Sequence, residues 1–199
     1  MAYAGQTVEN PASGERITFR QTAADTGGEL VAIDLELPAG RRVPGGLHRH
    51  PNQEESFAVV RGTMRFRMGR KTIMAGPGEV VVVPAGVPHN FANAGRGSAL
   101  VRVEVRPALQ MERLFETAVA LAEQGRTLKG GIPKPVDLAL FMREFADEVE
   151  GVHPPVWMQR TVLAPLAWMG ERGERADLFG RRRTSHGDAA TALSVPGPA

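Results

Sequence analysis

Hydrophobic and polar residues alternate through much of the first half of the chain. In ELVAIDLEL (29–37), apolar side chains occupy every second position from Val31 to Leu37, and Asp34 and Glu36 lie between them. Because successive side chains of a strand point to opposite faces, this period predicts a half-buried β-strand. Further short strands are predicted at ERITFR, ESFAVV, GTMRFRM, KTIM, EVVVV, PHNFAN and ALVRVEV, with Gly/Pro-rich turns between them. Such spacing predicts an antiparallel sandwich or small barrel.

The pattern changes near Pro107. In ALQMERLFETAVALAEQG, apolar residues recur at intervals of three and four, which is typical of a helix. VDLALFMREFADEVEG predicts a second helix that ends at Gly151, and PPVWMQRTVLAPLAWMGERG predicts a third that Pro165 kinks or divides. We therefore predict a β-barrel over residues 1–107, a helical extension over 108–172 and a flexible tail over 173–199. The apolar faces of the helices could cover the outside of the barrel, form a dimer interface or close the barrel mouth.

Composition excludes several classes of function. The 199 residues include no cysteine, which rules out disulfides and thiolate metal sites. No apolar run approaches the ~18 residues of a membrane span, and no signal peptide is evident, so we expect a cytoplasmic protein without a membrane partner. Lys and Arg number 24 against 22 Asp and Glu. The short basic cluster GRRRTSH in the predicted tail accompanies no recognisable nucleic-acid-binding module, so we expect no nucleic-acid partner.

Two of the five histidines stand in the stretch GLHRHPNQEESF. His48 and His50 are one residue apart, so both point to the same face of an extended strand. In the following strand, Glu55 shares its face with Phe57, which should face the core, whereas Glu54 shares the other face. Glu55 is therefore the predicted buried carboxylate, and a buried carboxylate needs a cation or several hydrogen-bond donors.

A third histidine, His89, begins a later strand after the turn Pro84-Ala85-Gly86. Three neutral imidazoles and one carboxylate that converge inside a barrel form a site for a divalent transition metal. The alternative is that these residues are ordinary core histidines with hydrogen-bond partners, beside a glutamate placed there by chance.

The spacing of these residues resembles the two sequence motifs of the cupin superfamily. The first motif matches at His48, His50, Glu55 and Gly62, although its opening glycine falls at Arg42. The second motif matches at every position: Gly78, Pro84, Gly86, His89 and Asn93. The resemblance covers about residues 28 to 106 and leaves the helices outside it.

A compact bacterial cupin is a mainly β protein with a double-stranded β-helix, or jelly-roll, barrel. The resemblance implies that His48, His50, Glu55 and His89 bind one divalent metal, which could be Fe, Mn, Ni, Co, Cu or Zn. It also implies that Asn93 braces a turn and does not contact the metal. Homodimers are common among small cupins, so we expect a homodimer.

Three functions fit the sequence. The first is a metal-dependent enzyme, quercetinase-like or a related dioxygenase, acting on a phenolic, enol or dicarbonyl substrate. Glu55 would then be catalytic as a ligand and proton shuttle, and Phe57, Phe66 and Phe91 would contact the substrate if they are more than core packing. The second is a non-catalytic sensor or carrier that binds a small molecule with a metal in the barrel. The third is a scaffold in which the metal serves only stability.

Overall fold

Two antiparallel β-sheets form most of the structure, a computed structural model that describes residues 1–42, 46–152, 156–171 and 179. The strands are β1 (Thr7–Glu9), β2 (Arg16–Gln21), β3 (Val31–Leu37), β4 (His48–Arg49), β5 (Glu54–Arg61), β6 (Met64–Met68), β7 (Lys71–Ala75), β8 (Val80–Val83), β9 (His89–Asn93), β10 (Ala99–Arg106) and β11 (Glu150–Gly151). The six-stranded sheet has the order β1-β2-β3-β10-β5-β8, and the five-stranded sheet has the order β11-β4-β9-β6-β7. The predicted mainly β architecture is confirmed.

The inward faces of the two sheets enclose an apolar core. On β3, Val31, Ile33, Leu35 and Leu37 are buried, as the alternation predicts. Three aromatic rings at the centre, Phe57, Phe66 and Phe91, lie with centroids 4.8 to 5.9 Å apart. Such clustered rings contribute packing beyond their buried area and hold the two sheets together.

The turn from β5 to β6 depends on Gly62. Its φ of +89° lies in the left-handed region, and a Cβ atom there would be 2.8 Å from the Cα of Ala99. Only glycine tolerates both conditions, because a side chain would be strained by the backbone angle and would collide with β10. This turn therefore fixes how closely β5 approaches the start of β10.

Four helices accompany the sheets: α1 (Ala23–Thr26), α2 (Met111–Glu123), α3 (Pro135–Glu144) and α4 (Val156–Glu171). The sequence predicted α2 but not the short α1, which Thr22 caps by accepting a hydrogen bond from the Asp25 amide. The predicted second helix ends early at Glu144, and the residues near Gly151 form β11 instead. The third helix continues through Pro165 without being divided.

A second hydrophobic core lies among the helices. It contains Leu121, Ala139, Leu140, Phe141, Phe145, Ala167 and Phe179. Leu114 of α2 packs against both this core and the barrel core, so α2 joins the two. At Gly170, a Cβ atom would lie 2.8 Å from Leu140, which shows how closely α3 and α4 pack.

Some predicted features lie outside the described residues. These are the loop around His153, the basic cluster and the tail, apart from Phe179, which is buried. None of the described helices is long and apolar enough to cross a membrane.

Candidate metal centre

Four side chains meet inside the barrel. Three of them belong to strands, and the fourth belongs to the residue that follows one of these strands. β4 carries His48, β9 carries His89 and β5 carries Glu55, while His50 follows β4 directly. His48 and His89 are register partners, which places both imidazoles side by side. One ligand atom from each of the four residues lies within 4.8 Å of the others. The four residues predicted as metal ligands are thus brought together as a possible metal-binding group.

Each imidazole is oriented by a backbone carbonyl group. The Nδ1 atom of His48 donates to the Gly46 carbonyl at 3.0 Å, and that of His89 donates to the Val87 carbonyl at 3.0 Å. The Nδ1 atom of His50 donates to the carbonyl of Glu148, which lies just before β11. A hydrogen bond at Nδ1 leaves the Nε2 lone pair of a neutral imidazole free, and metal-binding histidines use this arrangement.

The free atoms face one another without other hydrogen-bond partners. Glu55 Oε2 is 2.7 Å from His89 Nε2 and 3.4 Å from His50 Nε2. These three atoms are buried, and among the described residues they have no hydrogen-bond partner besides one another. Lone pairs this close repel each other unless a proton or a metal ion lies between them. The donor set of three imidazole nitrogens and a carboxylate therefore fits a divalent transition metal.

The electrostatics of the metal-free group agree with this reading. Burial alone would raise the pKa of Glu55, but the three imidazoles, His89 foremost, outweigh it and lower that pKa. Burial also lowers the pKa of His48 to about 4, with further contributions from His89 and His50. Burial would lower the pKa of His89 as well, but the adjacent Glu55 carboxylate raises it. In the metal-free protein a proton on His89 can lie between these atoms, and metal binding would release it.

The two adjacent glutamates differ in burial as the sequence predicts. Glu55 is buried, and Glu54 is exposed, as the alternation along β5 predicts. Asn93 also takes the predicted bracing role, since its side-chain amide donates to the carbonyl groups of Leu37, Pro38 and Gly97.

The segment that contains β11 supports the site from outside, and no sequence pattern predicted this strand. β11 pairs with β4, so that Glu150 lies opposite Arg49 and Gly151 opposite His48. Arg49 forms an ion pair with Glu150, at 2.8 Å from Nε and 2.7 Å from the terminal nitrogen. Part of the helical segment is thus attached to β4, which carries His48 and directly precedes His50.

The candidate metal centre opens into a cavity of about 410 Å³ between the barrel and the helices. The barrel side includes Phe57, Phe91 and Val103, whereas Phe66 lies behind them and packs on both rings. The helical side consists of apolar residues from α2, α3 and α4: Met111, Leu114, Phe115, Ala118, Leu138, Phe141, Met142, Val162 and Leu163. The helical segment thus forms one wall of the cavity and the barrel forms the other.

One polar residue of the cavity, Glu15, was not predicted as a site residue. Glu15 lines the cavity although it is no member of the metal group. It directly precedes β2 and lies on the same face as Ile17, two residues later. This alternation is the sequence signal by which Glu15 could have been found.

Comparison with known proteins agrees with the fold. Residues 34–105 match the family model for the Cupin domain. Among solved structures, KdgF from Halomonas sp. is 17% identical with a TM-score of 0.47, over 54% of this chain and 91% of that chain. An RmlC-like cupin from Shewanella frigidimarina is 18% identical with a TM-score of 0.46, over 56% of this chain and 94% of that chain. The DMSP lyase DddQ from Ruegeria pomeroyi is 31% identical with a TM-score of 0.37, over 42% of this chain and 41% of that chain. No curated protein matches the chain.

Proposed function

Because the barrel of this chain is a cupin domain, we propose that the protein is a metal-dependent enzyme of the dioxygenase or a related type. Its substrate would be a small, mainly apolar molecule with a phenolic, enol or dicarbonyl oxygen. The observation that carries this proposal is the set of unpartnered nitrogen and oxygen atoms of His50, Glu55 and His89 beside the cavity.

His48, His50, Glu55 and His89 would hold the metal. The chemistry that it supplies when bound is that of a Lewis acid for a substrate oxygen, or of a centre that activates dioxygen. The chain's own contribution is orientation, since three backbone carbonyl groups fix the imidazoles before any ligand arrives. Such preorganisation lowers the cost of reaching the reactive geometry.

Glu55 is the proposed catalytic residue. Its carboxylate would accept the proton that a phenol or enol loses on binding as its anion. Phe57 and Phe91 would contact the substrate directly, and Phe66 would support both rings. The apolar wall excludes water, which strengthens the interaction between charges inside the cavity.

A second function, a non-catalytic binder or sensor, has one observation in its favour. Among the described residues that line the cavity, the titratable side chains are those of Glu15, His48, His50 and Glu55. Three of these belong to the candidate metal group, so the wall offers little further acid–base machinery. An apolar wall with a few convergent polar groups suits binding as well as turnover.

Metal analysis followed by oxygen measurement tests the proposal. The purified protein is loaded anaerobically with Fe²⁺ and then mixed with a flavonol, a catechol or 2,4-pentanedione, and oxygen consumption is recorded. We expect metal at one equivalent per chain in the wild type and none in His50→Ala, which should keep the circular dichroism of the folded barrel. Full metal content in His50→Ala would contradict the ligand assignment.

The oxygen measurement separates the two functions. Oxygen consumption that depends on both the metal and one of these compounds supports the enzyme. Spectral shifts on adding a compound, without oxygen consumption or product, support the binder.

The homodimer also stays a proposal. β8 is an edge strand of the six-stranded sheet, and its Val80 and Val82 side chains are exposed. An apolar edge strand can pair with a second copy of itself. Light scattering should give twice the chain mass for the wild type and a smaller mass for Val80→Lys.

A further inference from the structure

Glu15 occupies an unusual position for a carboxylate. It precedes Arg16, the first residue of β2, and its side chain shares the inward face with Ile17 and Phe19. Only 6% of the residue is exposed, and it lines the same cavity as the candidate metal centre. The neighbouring side chains on this face of the strand are apolar. Packing alone would therefore favour an apolar residue at position 15.

Nothing on the described chain neutralises this side chain. Asn10 Nδ2 donates a hydrogen bond to Glu15 Oε1 at 3.3 Å. None of the ion pairs among the described residues includes Glu15. Burial without a cation raises the pKa of Glu15 to about 7, although hydrogen bonds from Asn10 and Ser13 partly offset this rise. A large fraction of the carboxyl groups therefore keep a proton near neutral pH and can donate it in a hydrogen bond.

Strand register separates Glu15 from the metal group. Glu55 lies opposite Val105 of β10, and Val105 lies opposite Val31 of β3. Arg16 lies opposite Glu36, five residues further along β3, and Glu15 precedes Arg16 on this antiparallel strand, so it is one residue beyond that level. At about 3.3 Å per residue, the two levels are about 20 Å apart along the sheet. The two polar regions of the cavity therefore lie at different levels of the barrel.

The wall around these two regions is apolar. It includes Ile17, Ile33 and Leu35 near Glu15, and Phe57 and Val103 nearer the centre of the barrel. A ligand that satisfies both polar regions must be long, apolar along its length and polar at both ends.

We propose that the Glu15 carboxyl group donates a hydrogen bond to a second polar group of the ligand, remote from the metal. The inference rests on the proposed function, because it assumes that the first end of the ligand binds the metal through an oxygen atom. The ligand class is an elongated apolar molecule with a metal-binding oxygen at one end and a neutral hydrogen-bond acceptor, such as a carbonyl, at the other. A neutral acceptor fits better than an ammonium group, because the apolar wall disfavours any buried charge.

Hydroxamic acids with straight alkyl chains are suitable probes, because the hydroxamate binds transition metals and the far end can be varied. Two series, from six to twelve carbons, end either in a methyl group or in a methyl ketone. Their affinities for the Zn²⁺-loaded protein are measured by calorimetry in the wild type, Glu15→Gln and Glu15→Leu. Metal content and thermal unfolding of each variant show that the barrel and its metal site are intact.

In the wild type, the ketone should bind about 3- to 10-fold more tightly than the methyl-ended probe, which corresponds to one net hydrogen bond. This preference should be largest at one intermediate chain length. Glu15→Gln should keep it, because an amide also donates, and Glu15→Leu should lose it while binding the methyl-ended probe at least as tightly as the wild type does.

Several results would overturn the inference. These are an unchanged ketone preference in Glu15→Leu, a preference independent of chain length, or no binding of any probe to the metal-loaded protein. If Glu15 controls the preference but no compound consumes oxygen, the enzyme proposal fails and the inference about the ligand stands. If oxygen is consumed but Glu15→Leu changes no affinity, the inference about the ligand fails and the enzyme proposal stands.

Discussion

Replacing Arg49 by alanine should weaken metal binding, although the Arg49 side chain points away from the metal group. Arg49 lies between His48 and His50, and it holds Glu150 of β11 through two contacts of 2.8 and 2.7 Å. The Glu148 carbonyl that orients His50 belongs to the same segment. Loosening β11 therefore removes part of the preorganisation of His50, and the metal has to restore it on binding.

The expected magnitude follows from the exposure of the pair. The Arg49 side chain is 39% exposed and that of Glu150 is 17% exposed, so solvent screens the interaction. A pair of this kind contributes about 0.5–1 kcal/mol. If all of it is transmitted to the metal site, the affinity falls about 2- to 5-fold, since 1.4 kcal/mol corresponds to a factor of ten.

The assay is chelator competition for Zn²⁺ at low salt, combined with urea unfolding. The single variants Arg49→Ala and Glu150→Ala and the double variant form a cycle that isolates the pair. A matched control is Arg61→Ala, which breaks an ion pair of 2.9 Å with Glu36 on the six-stranded sheet, away from the metal group. The control should change stability slightly and leave the metal affinity unchanged.

The reasoning fails if the cycle shows that the pair contributes to stability while the metal affinity of Arg49→Ala equals that of the wild type. It also fails if Arg61→Ala weakens metal binding to the same extent, because the effect would then be a general loss of barrel stability.

Three further predictions concern single positions. Glu55→Gln should lose most of the metal content and Glu54→Gln almost none, as measured by elemental analysis, and equal losses would contradict the choice of Glu55. Because the pKa of Glu15 is raised to about 7 from 4.5, the folded state binds its proton more tightly than the unfolded state. The free energy of unfolding should therefore fall between about pH 4.5 and 7, by at most about 3 kcal/mol, and Glu15→Gln should remove this slope in urea titrations. Gly62→Ala should destabilise the barrel by more than Gly69→Ala, because both glycines have a positive φ but only Gly62 faces a steric collision; equal urea midpoints would refute that account.

Much of the barrel and the whole candidate metal group could be predicted from the sequence because both follow from local periodicity. A period of two decides which side of a strand each residue takes, and this alone separates Glu55 from Glu54. The position of His89 beside His48 followed from motif spacing, which encodes a strand register that periodicity does not contain.

The rest depends on contacts that leave no local pattern. β11 has two residues, too few to show any period, and it forms because the chain after α3 meets β4. The same contact explains why the predicted second helix stops at Glu144. Pro165 was expected to kink or divide the third helix, and α4 is not divided there.

The cavity wall comes from two hydrophobic cores, one in the barrel and one among the helices, which α2 joins through Leu114. This arrangement would separate two tasks that many binding sites combine. In a ligand complex, the strands would fix which atom of the ligand is held, whereas the helices would fix the shape of the remainder. Exchanges confined to Leu138, Met142 and Leu163 should therefore redirect the choice of ligand while the four candidate metal-binding residues stay untouched, which makes the helical wall the place to retarget the protein.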